Sequence, residues 1–343
     1  MMRLPSYRYR APKTVQDAAA WLAESPKDTM LLAGGTDLIP NMKRRQQVPS
    51  TVVGLRGVSE LSRVEDRDGF EIGAGVTLTS LVHDERVRAR YLGLWQAVGQ
   101  IATPLLRNMG TIGGNICLDT RCTYYDQSFE WRQSINFCMK KDGDTCWVAT
   151  SSDKCLAVSS TDAAPALMSL GATVRLVSAT STRDVALTDL YANDGMFYLT
   201  RRADEILTTV TLPTSDGWRS TYWKLRRRGS FDFPVAAVAA AARFHDDRIV
   251  EARIVLGAVA SRPLEVPVAA ARLAGQTLTD ELIASVADDA YTLAKPMDNT
   301  DFELVWRKKT VRSLVTSALR ELRGDDMREA RTKLARHPLL VIS

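Results

Sequence analysis

The stretch Thr29 to Leu55 reads TMLLAGGTDLIPNMKRRQQVPSTVVGL, and it decides the fold through the order of its parts. TMLLA (Thr29 to Ala33) reads as an apolar strand and TVVGL (Thr51 to Leu55) as a second. Gly34 and Gly35 end the first strand and precede Thr36 and Asp37, which can cap a short helix. Two residues without side chains let bare backbone N–H groups approach an anionic ligand such as a pyrophosphate, and the Thr36 hydroxyl adds a donor. A tight connection with no ligand would use the same glycines, so this loop alone leaves both readings open. Neither it nor GAGVTL (Gly73 to Leu78) fits G-x-G-x-x-G in a strand-helix setting, which argues against a Rossmann cofactor site.

Upstream, the alternating YRYR (Tyr7 to Arg10) precedes Thr14, which opens a Thr-x-x-Asp capping pattern with Asp17. Val15, Ala18, Ala19 and Leu22 then share one helical face. Downstream, a strand and helix lead to ATPLLRNMGTIGGN (Ala102 to Asn115), where TIGGN repeats the chemistry of the first loop. A helix follows at DAAPALMSL, with strands at ATVRLVS, RDVALTDL and EILTTVTLP. A final unit begins near Trp218 with the alternating strands STYWKLRRR, VAAVAAAARFH and RIVEARIVLGAV, then helices over about Asp280 to Ala294 and Phe302 to Leu322. The pattern is α+β in three successive units.

Composition excludes several classes. With 343 residues, 45% hydrophobic and 25% charged, the chain can bury a sizeable core. The net charge of +5 is modest, and no basic stripe with interleaved aromatics points to nucleic acid. The longest apolar tract, Val235 to Ala242, is too short to span a bilayer, and the start has no apolar run suited to a signal segment. A cytoplasmic, reducing setting is expected, in which clustered cysteines hold metal or do redox work more readily than they form disulfides. Cys117, Cys122, Cys138, Cys146 and Cys155 are all the cysteines of the chain. The three histidines, His83, His245 and His337, show neither metal-ligand nor nucleophile-base spacing.

The motifs LLAGGTDL, RNMGTIGGN, SSTDAAPALMSLGATVRL, DEILTTVTLP and YWKLRRR, in that order, resemble the flavin subunit of the molybdenum hydroxylases over essentially the whole chain. That family includes xanthine dehydrogenase, carbon monoxide dehydrogenase and 4-hydroxybenzoyl-CoA reductase. The resemblance implies an α+β fold: a two-part FAD-binding domain of the PCMH/VAO-like type and a small α+β C-terminal domain. The expected boundaries are residues 1–60, 61–216 with an insertion at about 117–158, and 217–330. It implies that Met30, Leu31, Leu32, Ala33, Gly34, Gly35, Thr36 and Asp37 hold the FAD pyrophosphate and ribityl, and that Thr111, Gly113, Gly114 and Asn115 close over the same dinucleotide. Asp162 takes the acid position near the cofactor, Ile101 and Ile206 line the pocket, and Lys224 points to the isoalloxazine region. On the residues alone, Asp162 could cap the following helix, Ile206 could be core and Lys224 a strand-surface lysine.

Between Asn115 and Asp162 lie 46 residues, where ordinary members have a short connection, and this resembles 4-hydroxybenzoyl-CoA reductase. Its insertion implies a 4Fe-4S cluster on Cys122, Cys138, Cys146 and Cys155, with Cys117 left over. The gaps of 15, 7 and 8 residues match neither a zinc knuckle nor a ferredoxin run, so spacing alone leaves zinc and iron–sulfur open. Arg121, Lys140, Lys141 and Lys154 would offset part of the charge of a thiolate-held cluster, or are equally well solvated loop charges. The resemblance further implies a molybdopterin-containing large subunit and a 2Fe-2S small subunit as partners, in a dimer of heterotrimers. Electrons from a low-potential ferredoxin would pass through the 4Fe-4S cluster and FAD to molybdenum, where an aromatic thioester is reduced. The alternatives are an oxidising molybdenum hydroxylase and a zinc-stapled assembly module.

Overall fold

The computed structural model describes residues 3–229, 231–300 and 302–336; His337 lies outside them. Three parallel strands, β1 (Arg8–Arg10), β2 (Thr29–Leu32) and β3 (Thr51–Gly54), form the first sheet in the order β1-β3-β2. Parallel pairing needs a crossover between neighbours, and two helices supply it: Val15–Glu24 after β1 and Leu38–Lys43 after β2. The Thr14 hydroxyl accepts from the Asp17 N–H at 3.0 Å, and Val15, Ala18, Ala19 and Leu22 are the buried residues of the first helix. Ala18, Ala19 and Leu22 pack with Val53 and with Ile206 of the next sheet.

The second sheet is antiparallel: β4 (Val64–Arg67), β5 (Gly69–Gly73), β6 (Thr173–Val177), β7 (Thr182–Ala186) and β8 (Ile206–Leu212), in the order β4-β5-β8-β6-β7. Between β5 and β6 the chain leaves the sheet for about a hundred residues, and this excursion holds both the second glycine loop and the cysteine segment. Its helices Leu92–Gly99, Ile112–Ile116 and Ala163–Ser169 return to pack over Phe70, Ile72, Val174 and Val210. RDVALTDL was expected to be one strand. It ends at Ala186, and Leu187–Leu190 forms a 3-10 turn because both leucines, three residues apart, are buried on the same side.

The third sheet is antiparallel, with β9 (Trp218–Arg226), β10 (Pro234–His245), β11 (Arg248–Gly257) and β12 (Leu264–Glu265) in the order β12-β11-β10-β9. The alanines of β10 have a spatial reason. Ala236, Val238, Ala240 and Ala242 face the helices Asp280–Leu293 and Leu304–Arg323, whereas Ala237 and Ala239 pack against Ala97, Ala166 and Tyr222 on the other side. A strand covered on both faces shows an apolar run in place of alternation, and small side chains let both layers close in. The helix Pro267–Leu273 was not foreseen from sequence. Among the described residues no helix is long and apolar enough to cross a membrane.

Candidate functional site

A cavity of about 900 Å³ opens where the first and second sheets meet, on the scale of a site for a large organic cofactor. Its walls include Met30, Leu31 and the turn Ala33 to Asp37 on one side, and Thr111, Gly113, Gly114 and Asn115 on the other. Ile101, Asp162 and Ile206 border it as well. Leu32 and Lys224 do not.

The glycines have separate reasons. A Cβ at Gly34 would stand 1.9 Å from the Met109 carbonyl oxygen, because the chain leading into the second loop crosses directly over the first. Gly35 has φ +73°, a left-handed conformation that side chains resist. Gly113 lies against the backbone of Ala74, where a Cβ would be 2.6 Å from the Ala74 Cβ. Gly114 differs: a Cβ there would meet no backbone, only the Thr111 hydroxyl in a tight contact at 3.1 Å, and the residue lines the cavity. Thr111 caps its helix by accepting from the Gly114 N–H at 3.1 Å.

Asp162 stands at the start of the helix Ala163–Ser169 yet makes no capping bond. Asn115 does that work: its side-chain oxygen accepts from the Ala163 N–H at 3.0 Å and from the Thr161 hydroxyl at 2.8 Å. The Asp162 carboxylate is therefore left for the Tyr222 hydroxyl at 2.7 Å and for Lys224, whose Nζ lies 2.9 and 3.0 Å from its two oxygens. Burial pushes Asp162 up and Lys224 down from their ordinary values, each against the pull of its partner. Lys224, expected to point at the flavin, is a buried support behind Asp162, with a further bond to the Gln100 carbonyl at 3.1 Å. Ile206 is both core and cavity wall. Leu32 turns its side chain toward the turn at Gly35, behind the lining.

Sequence reasoning missed other lining groups. The buried Ser160 hydroxyl has no partner and borders the cavity, so it can serve a ligand. It stands in the quoted SSTD, where only the acid was singled out. Asp119, Tyr198, Arg201 and the segment around Phe231 and Phe233 also line the cavity. Glycines, backbone donors and an orphan hydroxyl suit a dinucleotide.

The four expected cysteines, Cys122, Cys138, Cys146 and Cys155, converge on one small space beside this cavity, walled by Tyr124, Tyr125, Trp147 and Ala157. All are buried and none is in a disulfide. Burial pushes the Cys122 thiol up to about 12 and Cys155 up to about 11, with the Lys140 charge opposing the rise at Cys155. Four buried soft donors with no carboxylate or imidazole among them fit a thiolate-held metal centre. Among the described residues no group of three or more His, Cys, Asp or Glu side chains is placed to hold a metal ion. The thiols border this space without being placed around a common ion. That space is about 10 Å³, so the side chains must turn outward to admit more than a single atom.

Cys117 lies apart from the four, at the large cavity, and burial pushes its thiol up. The expectation that Arg121, Lys140, Lys141 and Lys154 serve the thiolates is corrected in part. Arg121 pairs with Asp37 and Asp126, Lys140 with Asp119 at 2.7 Å, and Lys141 with Asp142 at 3.2 Å, so most of this positive charge is already met by carboxylates.

Residues 5–215 match the model of the FAD binding domain in molybdopterin dehydrogenase, and residues 220–322 match the CO dehydrogenase flavoprotein C-terminal domain. The chain is 30% identical over 331 residues to the aldehyde oxidoreductase FAD-binding subunit PaoB of Escherichia coli strain K12, covering 92% of this chain and 99% of that protein. It is 30% identical to the nicotine 6-hydroxylase medium subunit of Paenarthrobacter nicotinovorans, over 82% of this chain and 84% of the other. A solved carbon monoxide dehydrogenase from Hydrogenophaga pseudoflava superposes with a TM-score of 0.77 at 25% identity, covering 92% of this chain and 97% of that one. With two glycine loops walling one cavity inside the matched segment, this chain belongs to the family of FAD-binding medium subunits of the molybdenum hydroxylases.

Proposed function

We propose that this chain is the FAD subunit of an oxidising molybdenum hydroxylase, and that Cys122, Cys138, Cys146 and Cys155 carry a 4Fe-4S cluster in it. The observation that carries the reading is the cavity between the two glycine loops, inside the segment that matches the FAD domain. The backbone of Ala33, Gly34, Gly35 and Thr36 receives the dinucleotide phosphates. Thr111, Gly114 and Asn115 cover it from the opposite wall, and Ser160 supplies a hydroxyl. Asp162, held by Tyr222 and Lys224, offers a fixed polar group at the same wall. FAD bound there supplies transfer of one or two electrons, while the protein positions it and excludes water. Substrate chemistry belongs to a partner. A molybdopterin-containing large subunit and a 2Fe-2S small subunit, assembled as a dimer of heterotrimers in the cytoplasm, complete the enzyme.

Relatives named for aldehyde oxidation, nicotine hydroxylation and carbon monoxide dehydrogenation favour an oxidised substrate such as an aldehyde or N-heterocycle. An iron–sulfur cluster is preferred to zinc because the thiols adjoin the flavin cavity, where a redox centre can exchange electrons with FAD and zinc cannot. The second reading, a 4-hydroxybenzoyl-CoA reductase fed by ferredoxin, draws on the same four thiols but receives no support from the relatives.

The test uses the complete purified complex. FAD, iron, acid-labile sulfide, zinc and molybdenum are quantified, and aldehydes and N-heterocycles are assayed with artificial electron acceptors. Stoichiometric FAD with iron and sulfide, lost in Cys146→Ser and kept in Cys117→Ser, is expected. Flavin-free protein would overturn the assignment, zinc without iron would make the thiols a staple, and turnover confined to 4-hydroxybenzoyl-CoA with reduced ferredoxin would select the reductive reading.

A further inference from the structure

Of the carboxylates that line the flavin cavity, Asp37 and Asp119 are the two that take cations from the cysteine insertion. Left bare, each would oppose a dinucleotide phosphate, since like charges in a partly desolvated site repel strongly. Neither is bare. The Arg121 guanidinium bonds to Asp37, and the Lys140 ammonium stands 2.7 Å from Asp119. Both cations belong to the cysteine insertion: Arg121 directly precedes Cys122, and Lys140 follows Cys138 by two residues.

The same groups are tied into the thiol loops. Arg121 also reaches Asp126 at 3.4 Å, and Asp126 accepts from the Cys122 N–H at 3.2 Å while its own N–H donates to the Cys122 carbonyl at 2.8 Å. The Lys140 ammonium donates to the Gly195 carbonyl at 2.7 Å, and the Gly195 N–H donates to the Cys155 carbonyl at 2.7 Å. Each cation thus sits at the midpoint of a chain of polar contacts with a cavity carboxylate at one end and a cysteine backbone at the other. Both cations are nearly inaccessible, with side-chain exposures of 10% and 6%, so solvent does little to replace them.

We infer that filling the thiol site and binding FAD are positively coupled, with Arg121 and Lys140 as the positioning residues that carry the coupling. The inference rests on the proposed occupants of the two sites. An ordered insertion holds the two cations against Asp37 and Asp119 and leaves the cavity fit for an anion. An emptied thiol site loosens Cys122 and Cys155, lets the cations drift, and exposes two negative charges to the dinucleotide. Reciprocity requires that bound FAD favour occupation of the thiol site by the same factor.

The experiment compares FAD affinity, read from quenching of flavin fluorescence on the deflavinated full chain, with the iron and sulfide present and after their removal by oxidation and chelation. FAD is expected to bind about tenfold more weakly to the emptied protein, within the range usual for coupled sites. Arg121→Gln should bind FAD weakly with the cluster in place and show little further loss on emptying, while Arg121→Lys keeps part of the coupling. Asp126→Asn breaks the same chain from the cysteine end and should reduce the ratio too, which guards against a folding defect in the arginine variant. Equal FAD affinity in loaded and emptied wild type, with both cofactors present at the start, overturns the coupling alone. Wild type purified without iron and sulfide overturns the thiol reading and the coupling with it, and flavin assignment then stands or falls on FAD content.

Discussion

Four glycines, Gly34, Gly35, Gly113 and Gly114, line the flavin cavity and let backbone approach a ligand, whereas the neighbouring insertion presents side chains, four thiols beside cations that pair with carboxylates. Glycine contacts fail by steric intrusion, which is abrupt and local. Side-chain sites fail by losing a ligand or a charge, which neighbours partly absorb. The two regions meet at Asp37 and Asp119, cavity-lining carboxylates that both take their cation from the insertion, at whose start Asp119 itself stands.

The largest effect expected from this contrast is at Gly34. With a Cβ 1.9 Å from a backbone oxygen, Gly34→Val forces the two loops apart and should both abolish FAD retention and destabilise the fold by about 3 kcal/mol or more. Flavin content and thermal unfolding together check it; retained FAD would show that the loops do not form the site. Gly114→Val sharpens the point, since a Cβ there meets no backbone and the residue lines the cavity. FAD affinity should drop by about a hundredfold, equivalent to about 3 kcal/mol, while the melting temperature stays within a few degrees. Equal damage at both glycines would mean that Gly114, like Gly34, is a packing residue.

The insertion is anchored from its far side by Asn299, whose side-chain amide donates to the Leu156 carbonyl at 2.7 Å and whose carbonyl accepts from the Thr123 N–H at 3.1 Å. Buried Arg307 holds its other side-chain atom at 3.3 Å. Asn299→Ala should cost about 1–3 kcal/mol in unfolding and reduce iron retention more than FAD retention. Flavin loss exceeding iron loss would reverse the assignment of this contact.

The smallest effect concerns acid. Glu205, 1% exposed beside Ile206, receives Arg183 at 2.7 and 2.9 Å, and that ion pair holds its carboxyl below the ordinary value of 4.5. A depressed carboxyl contributes stability that is present above 4.5 and lost as pH falls through the folded-state value. Glu205→Gln should therefore cost about 1 kcal/mol at neutral pH, with the difference from wild type closing at an acid pH below the folded-state value. Urea titrations at both pH values decide it, and a gap that persists in acid would mean that packing, not charge, is what the substitution removes.

The three units and most of their strands were legible because strand runs, glycine turns and capping pairs act over a few residues: Thr14 with Asp17, or the alternation of Trp218 to Arg226, needs no distant partner. The thiol cluster and both glycine loops were legible as residue types for the same reason. Assigning the reductive reaction went beyond that, since cysteines report how a site is ligated and not which way electrons run. Three things were settled only in space. Asn115 took the helix cap and released Asp162, Lys224 withdrew behind that carboxylate, and Arg121 reached across more than eighty residues to Asp37. None of these follows from local pattern, because a buried charge takes whichever counter-charge the packed layers bring within reach, and the fold alone determines which one that is.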